Sequence, residues 1–284
     1  MLRKASPAIL ILALALSACD LHIRIPITQE IGPTVVDEIL VPLPADADGT
    51  TTLTLAFGAG TLNLQPGSQS LVSGTATYNV ADFAPDVTTT GSNVRIEQGN
   101  WRLTGIPNTS EIKNEWELSL GSTPLDLHVE AGAYKGEYEL GGLALTNLTL
   151  RDGAADVELA FSEPNAAEMT LLRYETGASN VSLTGLANAN FASMELDCGA
   201  GNYTLDFSGE LKRAGSVDIE TGISNLTLVI PAGIPVQLTL EGGLTNVSMG
   251  AGWSRNGKVY SQAGEGPALT IVVEMGAGNL TITR

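Results

Sequence analysis

Residues 193–207 read SMELDCGAGNYTLDF, and the fold turns on how that stretch is read. Apolar residues alternate on both sides of its glycines: Met194 and Leu196 before them, then Tyr203, Leu205 and Phe207 after. Period-two alternation marks a strand with one buried face. Between the halves lies Gly199-Ala200-Gly201-Asn202, a tight turn in which glycine reaches positive φ without strain. The pattern recurs as SVDIETGISNLTLVI (216–230), QLTLEGGLTNVSMGA (237–251) and TIVVEMGAGNLTITR (270–284). Earlier versions are TLLRYETGASNVSLT (170–184), NLTLRDGAADVELAF (147–161), DLHVEAGAYKGEYEL (126–140) and LTLAFGAGTLNLQPG (53–67).

The turn glycines Gly132, Gly153, Gly177, Gly199, Gly222 and Gly243 follow one another at 21, 24, 22, 23 and 21 residues. A near-constant period of this size predicts stacked rungs. An antiparallel sandwich would explain the alternation but not the recurrence of one turn at one spacing. No rung can bury its apolar side alone, so stability accumulates along the stack. Crossover chirality makes the coil right-handed. The expected fold is therefore all-β: a right-handed, single-stranded parallel β-helix or solenoid with rungs of roughly 21–24 residues. The 74 residues between Gly58 and Gly132 break the period, which makes the N-terminal half atypical though still β-rich. The chain divides accordingly into a signal segment (1–18), a tether (19–33), an N-terminal capping region (34–120) and the repeat solenoid (121–284).

Two polar rows follow from this register. Asn180, Asn202, Asn225, Asn246 and Asn279 occupy one position after the turn, and stacked in register they form an amide ladder. The turn and the alternation explain their Asn-x-Ser/Thr strings without glycosylation. An acid recurs two residues before the turn glycine, at Glu130, Glu175, Asp197, Glu220, Glu241 and Glu274. Stacked like charges repel; the row is either a solvated face or a place where Ca²⁺, which favours carboxylate oxygens, relieves the repulsion. No cofactor is otherwise implied.

The N-terminus carries Arg3 and Lys4, an apolar run from Ala8 to Leu16, then small residues, which is an export signal too short to span a membrane comfortably. Its end, Leu16-Ser17-Ala18-Cys19, resembles the lipobox of bacterial lipoproteins. The resemblance implies cleavage before Cys19, lipid on its sulfur and new amino terminus, and attachment to the membrane there. The implied location is extracytoplasmic, and Asp20 implies inner-membrane retention in a two-membrane envelope. The alternative is a plain secretory signal with an incidental Cys19. Cys198 then has no disulfide partner and, lying on the inward parity, reads as an inert buried thiol.

Chemistry is sparse. Fourteen basic against 31 acidic residues give a net charge of −17, which repels nucleic acid. The two histidines, His22 and His128, stand apart without a cysteine or carboxylate constellation, against a His/Cys metal site. No nucleophile elbow or phosphate loop occurs. A polysaccharide-cleaving carboxylate pair could be drawn from the acidic row by spacing alone, so it identifies no particular acid. The insertion at 250–268 is the better binding candidate: Trp253, Arg255, Lys258 and Tyr260 stand out in an acidic, aromatic-poor chain. The competing reading of that hairpin is a cap over the last rungs.

The stretches PAGIPVQLTLEGGLTNVSM, GWSRNGKVYSQ and ALTIVVEMGAGNLTI resemble the toast-rack domains of bacterial envelope proteins, including the LiaF-type C-terminal domain and related adhesin-like domains. GAGTLNL and WELSLGSTPLDLHVEAGA, within 34–160, resemble the N-terminal half that accompanies them. The resemblance implies a non-enzymatic envelope protein used for interaction or scaffolding. LiaF-type relatives restrain a stress-sensing kinase and carry transmembrane helices, whereas this chain has a lipid-anchor motif. Its partners are therefore expected among envelope proteins or wall glycans, with regulator, adhesin and polysaccharide-active enzyme as the competing roles.

Overall fold

The computed structural model describes residues 31–44, 49–99 and 111–284. Alternating apolar residues take the chain into strands almost throughout. The N-terminal part supplies β1 (Val35–Val41), β2 (Thr51–Pro66), β3 (Val72–Tyr78), β4 (Pro85–Thr90), β5 (Asn93–Gln98) and β6 (Asn114–Leu120). The middle supplies β7 (Leu125–Glu139), β8 (Leu145–Asp152), β9 (Ala154–Ala160), β10 (Met169–Thr184), β11 (Phe191–Asp206) and β12 (Gly215–Val229). The C-terminal part adds β13 (Val236–Met249), β14 (Trp253–Asn256), β15 (Val259–Gln262) and β16 (Leu269–Thr283).

Each long strand is folded over at its glycine. In β11 the buried positions around the turn are Met194, Leu196 and Cys198, then Tyr203 and Leu205, with Phe207 buried just beyond the strand, so the inward parity switches across the turn. That switch gives every rung two limbs whose apolar sides face one another across the core. The limbs pair separately on β2: Leu53 lies beside Val94 of β5, whereas Leu62 lies beside Trp116 of β6. β8 and β9 are the two limbs of one rung interrupted at Gly153, each paired with the matching half of β7 and β10. All of these pairings are parallel, and apart from one shift between Leu125 and Asp126 in the β7–β8 pair they keep register: Leu172 pairs Met194, and Met194 pairs Val217. The row Leu53, Leu127, Leu148, Leu172, Met194 and Val217 is wholly buried. Each such side chain contributes ~1.5–3 kcal/mol by burial.

The turn glycines form a ladder of their own. A Cβ on Gly177 would lie 2.5 Å from the carbonyl oxygen of Gly153, one on Gly199 2.3 Å from that of Gly177, and one on Gly222 2.6 Å from that of Gly199. Positive φ was the expected reason for these glycines, and that expectation is corrected. Gly177, Gly199 and Gly222 do not occupy the left-handed region, while Gly201 two positions on does, at φ 152°. The ladder position requires glycine because successive backbones meet there with no room for a methyl group.

The order of rungs departs from a strictly sequential stack at two places: β2 lies between the later β6 and β7, and β16 between β12 and β13. The sheet runs β6-β2-β7-β8-β10-β11-β12-β16-β13, with the last strand lying between β12 and β13. Ile271 pairs with Val217 on one side and Leu238 on the other. Apolar content explains the placing of β16. In β16, Leu269, Ile271, Val273, Met275, Leu280 and Ile282 are all buried, whereas β13 has Gly242 and Thr245 at inward-facing positions and is better placed at the edge. The ends are closed by antiparallel pieces. β1 and β3 extend from β6 at one end, and the β14–β15 hairpin lies against β13 at the other, along Val236–Thr239 only.

Candidate interaction faces

The outer side of the first limbs is the acidic one. Register places Glu130, Arg151, Glu175, Asp197, Glu220, Glu274 and Glu241 in one row across the sheet. Arginines punctuate its first half. Arg151 Nε donates to Glu175 Oε2 at 2.9 Å, Arg95 Nη1 to Glu130 Oε2 at 3.1 Å, and Arg173 bridges to Glu195. The Arg151 hydrogen bond, with its charge, holds the Glu175 carboxyl below its ordinary range. These pairs are exposed, so each contributes about 1 kcal/mol at most. Beyond Glu195 the row has no cation, and Asp197, Asp218, Glu220 and Glu274 line a groove of 420 Å³. Among the described residues no three His, Cys, Asp or Glu side chains converge as metal ligands.

The outer side of the second limbs differs in kind. Asn202 Nδ2 donates to Asn180 Oδ1 at 2.8 Å, Asn225 to Asn202 at 2.9 Å, Asn279 to Asn225 at 2.7 Å and Asn246 to Asn279 at 3.2 Å. The amide ladder is therefore continuous over five rungs and follows the spatial order, with Asn279 between Asn225 and Asn246. Two residues on, Ser182, Thr204, Thr227, Thr281 and Ser248 make a second row. Ten polar, uncharged side chains thus cover this face of a chain with net charge −17. Each ladder amide keeps one N–H and one lone pair for an outside partner. Nearer β6 the same limb surface becomes a groove of 560 Å³ lined by Asn63, Glu117, Glu137, Glu139 and Glu158.

Asp152, on the inward parity of β8, went unremarked in the sequence although LTLRD places it two residues after Leu150. Its Oδ2 accepts from the Tyr174 hydroxyl at 2.8 Å and from Tyr134 at 3.4 Å, and its Oδ1 from Thr176 Oγ1 at 2.5 Å and Ser179 at 3.4 Å. Burial raises its pKa; the four hydroxyl donors only partly offset this. The cluster ties three successive rungs together beneath the glycine ladder. Cys198 lies nearby, its thiol pushed up to about 12 by burial.

The hairpin residues divide. Trp253 is 8% exposed and Tyr260 1%, so both are packed into the end of the core as a cap and unavailable to a partner. Arg255 and Lys258 project outward; the Arg255 guanidinium lies 5.3 Å from the Tyr260 ring centroid and its Nε donates to Gly257 O at 2.9 Å. His128 reaches Asp126 at 3.0 Å and joins no group of three His, Cys, Asp or Glu among the described residues. Cys19 and His22 lie outside the described residues. No helix among the described residues is long and apolar enough to cross a membrane.

These features define a class: an all-β rack of parallel bent rungs with one acidic outer face and a second that is uncharged along its Asn and Ser/Thr rows from β10 to β13 and acidic at β9, where Asp156 and Glu158 continue the same rows. Residues 30–171, half of the chain, match the family described as the N-terminal domain of toast_rack, DUF2154. The chain belongs to this family. No curated protein matches it. Among solved structures, a candidate cell adhesion protein of Clostridium sporogenes ATCC 15579 is similar at TM-score 0.49 and 19% identity, over 88% of this chain and 99% of that one. A candidate adhesin of Bacteroides fragilis NCTC 9343 gives TM-score 0.47 and 11% identity, over 90% and 100%. A candidate lipid binding protein of Parabacteroides distasonis ATCC 8503 gives 0.37 and 9%, over 88% and 97%.

Proposed function

We propose that this chain is a non-enzymatic, extracytoplasmic surface protein, lipid-anchored through Cys19, that acts as a rigid interaction module at the bacterial envelope. The reading rests on the neutral array of the second limbs. Five in-register Asn and five in-register Ser/Thr offer hydrogen bonds at the strand spacing of ~4.8 Å. These two rows, uncharged from β10 to β13 on an otherwise acidic protein, favour a neutral hydroxyl-rich partner over a polyanion or a polycation. A wall glycan in extended form has that chemistry, with hydroxyls repeating along a line. The lipobox-like Leu16-Ser17-Ala18-Cys19 supports the anchor, and with it the location. In this reading the coil is right-handed with rungs of roughly 21–24 residues, as crossover chirality favours.

Two measurements test it. Retention on isolated cell wall should be strong for the parent chain and lost in Thr204→Glu/Thr227→Glu, with the melting temperature held. Retention that survives this double change, or is absent from the parent, removes the glycan reading. Incorporation of a clickable fatty acid should occur in the parent and vanish in Cys19→Ser; labelling that persists in the variant rules out the anchor at Cys19.

A further inference from the structure

The rack is unfinished at one corner. The β14–β15 hairpin covers β13 only from Val236 to Thr239, with Leu240 N donating to Lys258 O as the last bond on that side. From Glu241 to Met249 the outer edge of β13 has no backbone partner among the described residues. Gly250 N–H donates inward to Ile282 O, so by strand alternation the N–H and C=O groups of Met249, Val247 and Thr245 face the open side. Natural sheets blunt such an edge with Lys, Pro, bulges or a covering segment. Among the described residues this edge has none of them: residues 242–250 read GGLTNVSMG, without charge or proline in a chain of net charge −17. Its apolar side chains are bare as well, Leu244 being 86% exposed and Met249 39%, while Thr245 Oγ1 is buried with no hydrogen-bond partner.

We infer that this edge pairs antiparallel with the same edge of a second copy of the chain, joining two racks into one continuous sheet. The charges at its two ends favour a copy over an unrelated strand. Glu241 stands at one end, and the Arg284 guanidinium lies over Gly252 at the other. A two-fold antiparallel pairing turns the acidic end of each copy toward the basic end of the other, and the uncharged stretch between them brings no like charges face to face.

The test is site-directed crosslinking of the full chain in native membranes. Single variants Leu244→Cys, Asn246→Cys and Ser248→Cys are treated with a short bis-maleimide, against the parent chain as background for its own cysteines and Ser193→Cys on the acidic face as control. The expected result is a covalent homodimer from at least one edge position and none from Ser193→Cys. Adding Ser248→Lys to the reactive variant sets like charges side by side across the joint and should reduce the dimer severalfold, with the melting curve unchanged. Absence of homodimer at all three edge positions overturns the inference, as does capture of a different protein alone, or equal dimer from Ser193→Cys. Wall retention is read separately, so loss of the dimer does not alter the glycan test.

Discussion

Replacing Gly199 by alanine isolates what holds the rungs at their spacing. Gly199 is not in the left-handed region, so alanine can adopt its backbone conformation, and the added methyl acts through space alone. That methyl would lie 2.3 Å from the carbonyl oxygen of Gly177 and 3.2 Å from its carbon. Ordinary contact begins near 3.4 Å, so two hydrogen-bonded backbones must separate by about 1 Å in a tightly packed stack. Overpacking of this kind costs about 2–3 kcal/mol, which for a chain this long lowers Tm by roughly 4–12 °C. Two comparisons calibrate the steric argument. Gly153→Ala would bring its methyl only to 3.2 Å from the Gly132 oxygen, a gap that a few tenths of an ångström relieve, and should cost ~1 kcal/mol or less. Gly49→Ala meets nothing within 4 Å and should be neutral or slightly stabilising, through the unfolded chain. Circular dichroism melts of the three variants decide it. If Gly199→Ala melts with Gly49→Ala, or Gly153→Ala is the worst of the three, the stacking account of the glycine ladder fails.

Asn225→Ala removes one ladder bond as donor and one as acceptor, and should cost about 1–2 kcal/mol, against about half that for Asn246→Ala at the end of the row, read from denaturant midpoints. Trp253→Ala and Tyr260→Ala should each destabilise by about 3–5 kcal/mol if the pair caps the core, while Arg255→Ala and Lys258→Ala stay within about 0.5 kcal/mol; large losses in the basic variants would contradict that division. Burial raises the Asp152 carboxyl in the folded state, so the fold binds this proton more tightly than the unfolded chain does. Its contribution is therefore fully present below the ordinary carboxylate range and lost as pH rises through the raised value. Asp152→Asn should flatten the stability profile in that window; a parent profile that instead rises there through Asp152 would reverse the sign.

Much of this was legible because the repeat is written in residues that leave no alternative. Glycine at a fixed spacing, one asparagine three positions on, and strict apolar alternation specify stacked rungs with an amide ladder, and register makes each row visible before any coordinates. What stayed hidden depends on competition between similar segments. LTIVVEMGAGNLTIT and VQLTLEGGLTNVSM bear the same motif, and only their relative apolar content explains why β16 takes the interior place and β13 the edge. The rung in β2 was likewise recognised by motif, but its neighbour β7 lies 74 residues away by glycine spacing, with β3 to β6 folded between. The hairpin aromatics were ambiguous because a Trp or Tyr in a polar insertion serves a partner or a cap equally well, and burial alone separates the two. Asp152 was overlooked because its inward direction follows from parity, which ranks geometry above residue type.

We infer that the uncharged rows of the second limbs, from β10 to β13, are where this protein meets the envelope. Placing a photo-crosslinking residue at Thr227, in native membranes, and identifying the captured material by mass spectrometry tests it most directly. The account predicts wall-glycan adducts that are absent when the same residue replaces Ser193 on the acidic face. Capture of one dominant membrane protein such as a sensor kinase, with no glycan adduct, would contradict it and point to a regulator instead.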